Sequence, residues 1–226
     1  MGQILSIETA TRTCSVAIAK DGELLGYQDF HSEQYSHAEK LNSMMIDLMK
    51  ELSLSWGDID AIAVSEGPGS YTGLRIGVST AKGLCYARSL PLIAINSLAS
   101  LASLIDANEY NYRCPMFDAR RMEVYGAIYD KQEDEIMKTQ PVLVDEFSFL
   151  EYLEKGKVAF FGPGAEKCQA VIQHKNAHFD LETEVSARGM VDLAERAYRL
   201  ASFVDVAYFE PNYLKSFIAG PPKKLL

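Results

Sequence analysis

Apolar and polar positions alternate in recognisable blocks along the first hundred residues. Gln3 to Ser6 is an apolar run, and Thr13 to Ala19 alternates with Cys14, Val16 and Ile18 on one side. Asp21-Gly22 is a hairpin turn signal, after which Glu23 to Phe30 resumes as a strand. Ser36 to Leu52 shifts to helical periodicity, with Leu41, Met44, Met45, Leu48, Met49 and Leu52 on one stripe. Gly57-Asp58 breaks it. Ala61 to Ser65 then reads as a short buried strand, Glu66 to Tyr71 as a glycine-rich turn and Thr72 to Ser89 as a helix ended by Pro91. Leu92 to Ile95 is a further strand.

The second half repeats this order without visible sequence repetition. Met116 to Asp118, Val124 to Tyr129, Ile136 to Val144 and Val158 to Phe161 read as strands. Phe147 to Lys155, Ala165 to Gln173 and Gly189 to Phe203 read as helices, and a helix from Ser97 to Ile105, capped by Ser97, bridges the halves. Two units of three strands followed by alternating helices suggest a duplicated ribonuclease-H-like α/β fold with mixed sheets flanked by helices. An ordinary single α/β domain is the alternative. The expected lobes are 1–97 and 98–226.

Composition narrows the function. The chain has 226 residues, 48% of them hydrophobic, enough for one large core or two small ones. No run approaches the roughly 18 apolar residues of a membrane span, and the first residues carry neither the charge nor the cleavage site of a secretory signal. Gly2 and Ser6 fit an acylation pattern, but Ile4, Leu5 and Ile7 read better as a buried first strand. Cys14, Cys85, Cys114 and Cys168 form no C-x-x-C pair, so neither a zinc site nor a disulfide framework is expected and a reducing, cytoplasmic compartment is. Net charge is −9, from 31 acidic and 22 basic residues. The longest basic clusters are Arg120-Arg121 and Lys223-Lys224, so independent RNA binding is not expected, although a partner could supply positive surface.

Residues 61–84 read AIAVSEGPGSYTGLRIGVSTAKGL. Gly67, Gly69 and Gly73 lie between strand and helix, and Thr72 is a candidate cap. A helix N-terminus after glycines can hold phosphate, yet the spacing is neither a dinucleotide fingerprint nor a P-loop. The whole segment resembles the GPGS[FY]TGLRIG-x-x-x-AKGL signature of the TsaB family. The opening ILSIETATRTCSVAI, the block His37-Ala38-Glu39-Lys40-Leu41, the block from Asp118 to Tyr125 (DARRMEVY) and the stretch from Pro211 to Lys215 resemble further family motifs, in family order.

The resemblance implies an actin-like ATPase fold of two ribonuclease-H-like lobes. It implies a non-catalytic, cytoplasmic subunit of the complex that forms N6-threonylcarbamoyladenosine at position 37 of tRNAs reading codons beginning with A. Such subunits pair with TsaD, are joined by the small ATPase TsaE, pair with a second copy when alone, and meet tRNA only through the complex. The expected contact uses the two first-lobe helices, through His37, Leu41, Met44, Met45, Leu48, Thr72, Gly73, Ile76, Gly77 and Ala81.

No catalytic or metal residues are assigned. TsaD-type proteins hold metal with H-x-x-x-H on the first-lobe helix; here Leu41 stands at the second position after His37. His174 and His178 have the same spacing and read as a loop pair, with adventitious metal the alternative. Actin-like ATPases pair an acid with a glycine-containing phosphate hairpin. Glu8 supplies the acid, but the hairpin from Thr9 to Thr13 has no glycine, which leaves less freedom for backbone approach. Glu8, Thr9, Arg12, Gly67 and Gly69 are therefore candidates for weak ATP or ADP binding without hydrolysis, and no cofactor is expected. A stand-alone actin-like ATPase or small-molecule kinase is the rival reading. Phe161-Gly162-Pro163-Gly164 is its single candidate adenosine-side motif and reads as a turn. No serine elbow or cysteine–histidine signature supports proteolysis.

Overall fold

The computed structural model describes residues 2–32 and 37–215. The expected helix start at Ser36 and the Lys223-Lys224 cluster lie outside them.

Two five-stranded mixed sheets share one topology. In the first, β1 (Gln3–Glu8), β2 (Thr13–Lys20) and β3 (Glu23–His31) form an antiparallel meander. The strand β4 (Ala61–Gly67) lies parallel to β1, and β5 (Leu92–Asn96) lies parallel to β4. Spatially the order is β3-β2-β1-β4-β5. The second sheet comprises β6 (Tyr112–Asp118), β7 (Glu123–Tyr129), β8 (Glu135–Leu143), β9 (Val158–Phe161) and β10 (Ala177–Asp180), in the order β10-β9-β6-β7-β8. Replacing β1 to β5 by β6 to β10 converts one sheet into the other. This is the duplicated arrangement the pattern suggested, and it is the actin-like fold the family resemblance implied.

The helices are not duplicated in size. In the first lobe α1 (His37–Glu51) follows β3 and α2 (Tyr71–Arg88) follows β4. At the matching points of the second lobe, α4 (Leu150–Leu153) is one turn and the segment after β9 holds only a 3-10 turn at Glu166–Cys168. The expected helices 147–155 and 165–173 therefore contract. Asp145 ties the chain into a local turn by accepting from Phe147 N at 3.0 Å and Ser148 Oγ at 2.8 Å, and Phe149 has φ 66°, a left-handed conformation that delays helix onset. The strand β10 was hidden in the sequence because His178 and Asp180 interrupt its apolar pattern; Phe179 still stacks on Phe160 at 5.1 Å.

Two expected caps move by one or two positions. Ser70, not Thr72, caps α2, its Oγ accepting from Gly73 N at 3.2 Å. Asn96, not Ser97, caps α3 (Ser97–Ala102), with Oδ1 accepting from Leu98 N at 2.9 Å and Ala99 N at 3.1 Å.

The lobes are joined by an apolar cluster in which Ala10 and Leu74 of the first lobe meet Phe117, Ala127 and Phe161 of the second, with Leu98 and Leu101 of α3 between them. The far end of the chain packs back against the first sheet. The closing helix α5 (Val191–Arg199) packs on β1 and β5 of the first sheet, where Met190 and Ala194 cover Ile4, Ala17, Ile93 and Ile95. The chain then continues along the first lobe: Val204 N donates to Leu92 O at 2.9 Å and Asn212 N to Glu66 O at 2.7 Å. The segment from Ala187 onward thus packs largely on the first sheet, while Arg196 pairs with Glu133 and Lys215 with Glu123 of the second lobe.

The stripe of α1 faces its own sheet. Leu41, Met44, Met45, Leu48 and Met49 are buried with Leu5, Val16, Ile18 and Val78. Along α2, Gly77 and Gly73 sit against the side chain and backbone of Thr9, so that an added Cβ would collide with Thr9 Oγ1 or Thr9 O. Gly83, on the outer face, has open space around it. Gly77→Leu is thus expected to overpack the monomer, costing about 1–3 kcal/mol or more, whereas Gly83→Ala should stabilise by about 0.5–1 kcal/mol through helix propensity. Thermal melts of the isolated chain check both signs.

Candidate functional site

The acid expected to begin a phosphate site is sealed in the protein. Glu8 ends β1 and is fully buried; its Oε1 accepts from Ala10 N at 2.6 Å and its Oε2 has no hydrogen bond. Burial pushes its carboxyl up from 4.5 to about 7, against the Ala10 amide, the Ser65 hydroxyl and the Thr9 amide, which pull it down. The neighbouring Cys14 thiol is pushed up to about 12, by burial first and then by Glu8.

The hairpin after Glu8 is occupied by the protein's own backbone. Thr9 N donates to Ser65 Oγ at 3.2 Å, Ser70 N to Ala10 O at 2.6 Å, and His37 Nε2 to Thr11 O at 2.8 Å. A Cβ on Gly69 would lie 2.5–2.9 Å from Ala10 O, Cβ and Cα. The glycine turn therefore lies in close contact with the hairpin at Ala10. Of the five nucleotide candidates, Glu8, Thr9 and Gly67 are buried, Gly69 is half-buried against Ala10, and Arg12 alone is exposed, at the hairpin tip. Gly67, at φ 112°, sits beneath the Asn212 carbonyl, in a conformation and a space that a side chain would not share.

The partner-facing candidates divide in the same way. His37, Leu41, Met44, Met45, Leu48, Gly73, Gly77 and Ala81 are buried in the monomer and serve its own core. The reason is geometric: the small residues of α2 admit Thr9, and the methionines of α1 fill the irregular space over the first sheet. Thr72 is exposed and Ile76 half-buried. Three residues that periodicity did not single out join them on the outer faces: Ile46, Gly83 and Tyr86, the last 87% exposed. An apolar residue out of phase with its helix stripe was the available signal for Ile46.

A second feature of α2 was also missed. Arg75 lies 4.1 Å over the Tyr71 ring and donates from Nε to Tyr213 Oη at 3.2 Å; the two tyrosine rings are 4.8 Å apart. Beside it, a cleft of about 400 Å³ runs between α2 and the C-terminal segment. Lys82 closes its floor by donating to Ala207 O at 3.1 Å and Phe209 O at 2.9 Å. None of the five nucleotide candidates lines this cleft. His174 and His178 do not converge on one centre: His174 Nδ1 accepts from Asn176 N at 3.2 Å, while the His178 ring packs 5.6 Å from Tyr110. No group of three or more potential metal-ligating side chains forms among the described residues. No helix among them is long and apolar enough to cross a membrane.

A family model described as TsaD, tRNA N6-adenosine threonylcarbamoyltransferase, matches residues 31–215. The chain is 30% identical over 224 residues to the tRNA threonylcarbamoyladenosine biosynthesis protein TsaB of Escherichia coli (strain K12), covering 96% of each. Among solved structures, a Pseudomonas aeruginosa protein described as similar to peptidase YeaZ superposes with a TM-score of 0.84 at 26% identity, over 95% of this chain and 100% of that one. The ethanolamine utilization protein EutJ of Carboxydothermus hydrogenoformans, 9% identical, shares the fold at a TM-score of 0.50, over 84% and 88% of the two chains.

The Glu8 carboxyl makes stability depend on pH. Because its folded value, about 7, lies above 4.5, the folded chain holds this proton more tightly. Its stabilisation is complete below pH 4.5 and is lost as pH rises through 7. Glu8→Gln keeps an acceptor for Ala10 N and removes this titration. Urea titrations across pH should show the variant gaining on the parent above neutrality, by up to about 3 kcal/mol, with no gain at pH 4.5.

Proposed function

Because this chain belongs to the TsaB family, we propose that it is a non-catalytic scaffolding subunit for tRNA threonylcarbamoyladenosine formation. It pairs with TsaD, which carries the transfer chemistry, and TsaE joins the pair. The observation that supports the absence of intrinsic catalysis is the closed hairpin: Ser70 N bonds to Ala10 O at 2.6 Å, and Gly69 lies against Ala10 where an actin-like ATPase would admit phosphate. A buried Glu8 held near neutrality adds to it. Leu41 in place of a second histidine removes the helix metal pair. Nucleotide binding is accordingly weak and serves no hydrolysis by this chain. With its four buried, unpaired cysteines, it works in the cytoplasm.

The docking surface is the outer face of α1 and α2, centred on Ile46, Thr72, Ile76, Gly83 and Tyr86. Large exposed side chains on packed, rigid helices lose little freedom on binding, and Gly83 allows a partner helix to approach without its own Cβ intervening. A second copy of this chain uses the same face when TsaD is absent.

Purified reconstitution tests the role. The chain alone should neither hydrolyse ATP nor modify tRNA, and TsaD with TsaE should require it. Activity of the chain alone would refute the scaffold reading. For the surface, Tyr86→Ala should weaken TsaD binding by at least 1 kcal/mol in calorimetry while the melting temperature stays within a few degrees. Unchanged affinity would place the contact elsewhere.

A further inference from the structure

We propose that the Arg120–Arg121 turn, together with Arg75 between its tyrosines, forms a surface that contacts the phosphodiester backbone of RNA in the assembled complex. This rests on the tRNA-modifying role proposed above and assigns this chain a direct share in holding the substrate.

The case begins with backbone. The turn joining β6 to β7 holds two successive non-glycine residues in left-handed conformation, Arg120 at φ 72° and Arg121 at φ 51°. It is braced by internal hydrogen bonds, Arg120 N to Asp118 Oδ1 at 2.8 Å, Glu123 N to Arg120 O at 3.1 Å and Ala119 N to Glu123 O at 3.0 Å. Lys167 fastens it from behind, with Nζ donating to Asp118 Oδ1 at 2.5 Å, Arg121 O at 2.7 Å and Glu123 O at 2.6 Å. All three of its donors are thus engaged by the turn, and its charge is matched by Asp118. The two guanidiniums are left exposed, and neither makes an ion pair among the described residues. In a chain of net charge −9, two adjacent unneutralised arginines on a rigid tip mark a place where anions are favoured. The planar guanidinium fork matches phosphate oxygens.

The C-terminal segment links this tip to Arg75. Lys215 pairs with Glu123 at the base of the turn. Burial chiefly raises the Tyr125 phenol, and Lys215 and Arg120 both act to lower it, so both cations lie within electrostatic reach of that ring. Two residues before Lys215, Tyr213 accepts from Arg75 and faces Tyr71. Arginines interleaved with partly exposed tyrosines suit a nucleic acid, because guanidinium binds phosphate while ring faces stack on unpaired bases. An acidic protein would use the charges and not the rings.

The test uses the complex of this chain with TsaD and TsaE, and an unmodified tRNA transcript followed by fluorescence anisotropy at several salt concentrations. Replacing both residues (Arg120→Gln with Arg121→Gln) should weaken tRNA binding about tenfold and lower the slope of log Kd against log salt by about 2. Arg75→Gln should weaken it several-fold, and Arg121→Lys should keep most of the slope. Sedimentation should find the variant complexes intact. Unchanged affinity and slope overturn the proposal, as does a variant that fails to assemble while its residual complex binds tRNA normally, which would make the patch a protein contact. If the parent chain does not assemble with TsaD at all, the scaffold reading falls first and this one with it.

Discussion

The packing of α2 on the Thr9–Ala10 hairpin is the contact on which the rest of the molecule depends. Gly73 and Gly77 let the helix lie directly on Thr9, and Ser70 hands its amide to Ala10. A helix N-terminus this close to the end of β1 would ordinarily be an anion site. Here Ser70 Oγ caps Gly73 N while Ser70 N donates to Ala10 O, and Ala10 and Leu74 join the apolar cluster between the lobes. One close approach thus ties the hairpin to the helix and brings Ala10 and Leu74 to the seam between the lobes.

The unequal helices of the two lobes point the same way. The sheets superimpose in topology, strand for strand, yet only the first lobe keeps two full helices after its third and fourth strands. Helices of 15 and 18 residues present long outer faces, whereas the single turns opposite them present almost none. An exposed tyrosine and isoleucine on those faces, over a core already complete beneath them, are the observations on which the proposed docking surface rests.

Much of the fold was legible because it rests on local rules. The Asp21-Gly22 turn, the apolar runs of β1 and β4 and the stripe of α1 each announce themselves through period or turn chemistry. The site was harder for a physical reason: Leu41, Met44 and Met45 look alike whether they face a partner or the chain's own sheet, since both surfaces are apolar. Periodicity finds the stripe but not what covers it. Likewise the small residues Gly73, Gly77 and Ala81 announce a close approach without naming the element that approaches, which proved to be Thr9. Arg75 was overlooked since its significance depends on Tyr213, 138 positions away.

The return of α5 to the first sheet has a consequence for biosynthesis. The face of β1, β4 and β5 formed by Ile4, Ala61, Ala63, Ile93 and Ile95 is covered by Ala187, Met190 and Ala194, which leave the ribosome nearly a hundred residues after β5. At typical elongation rates that face stays bare for seconds, long after its strands could have paired. The nascent first lobe is therefore a natural client for chaperones that shield apolar sheet faces, and it matures only when the last part of the chain arrives to close it.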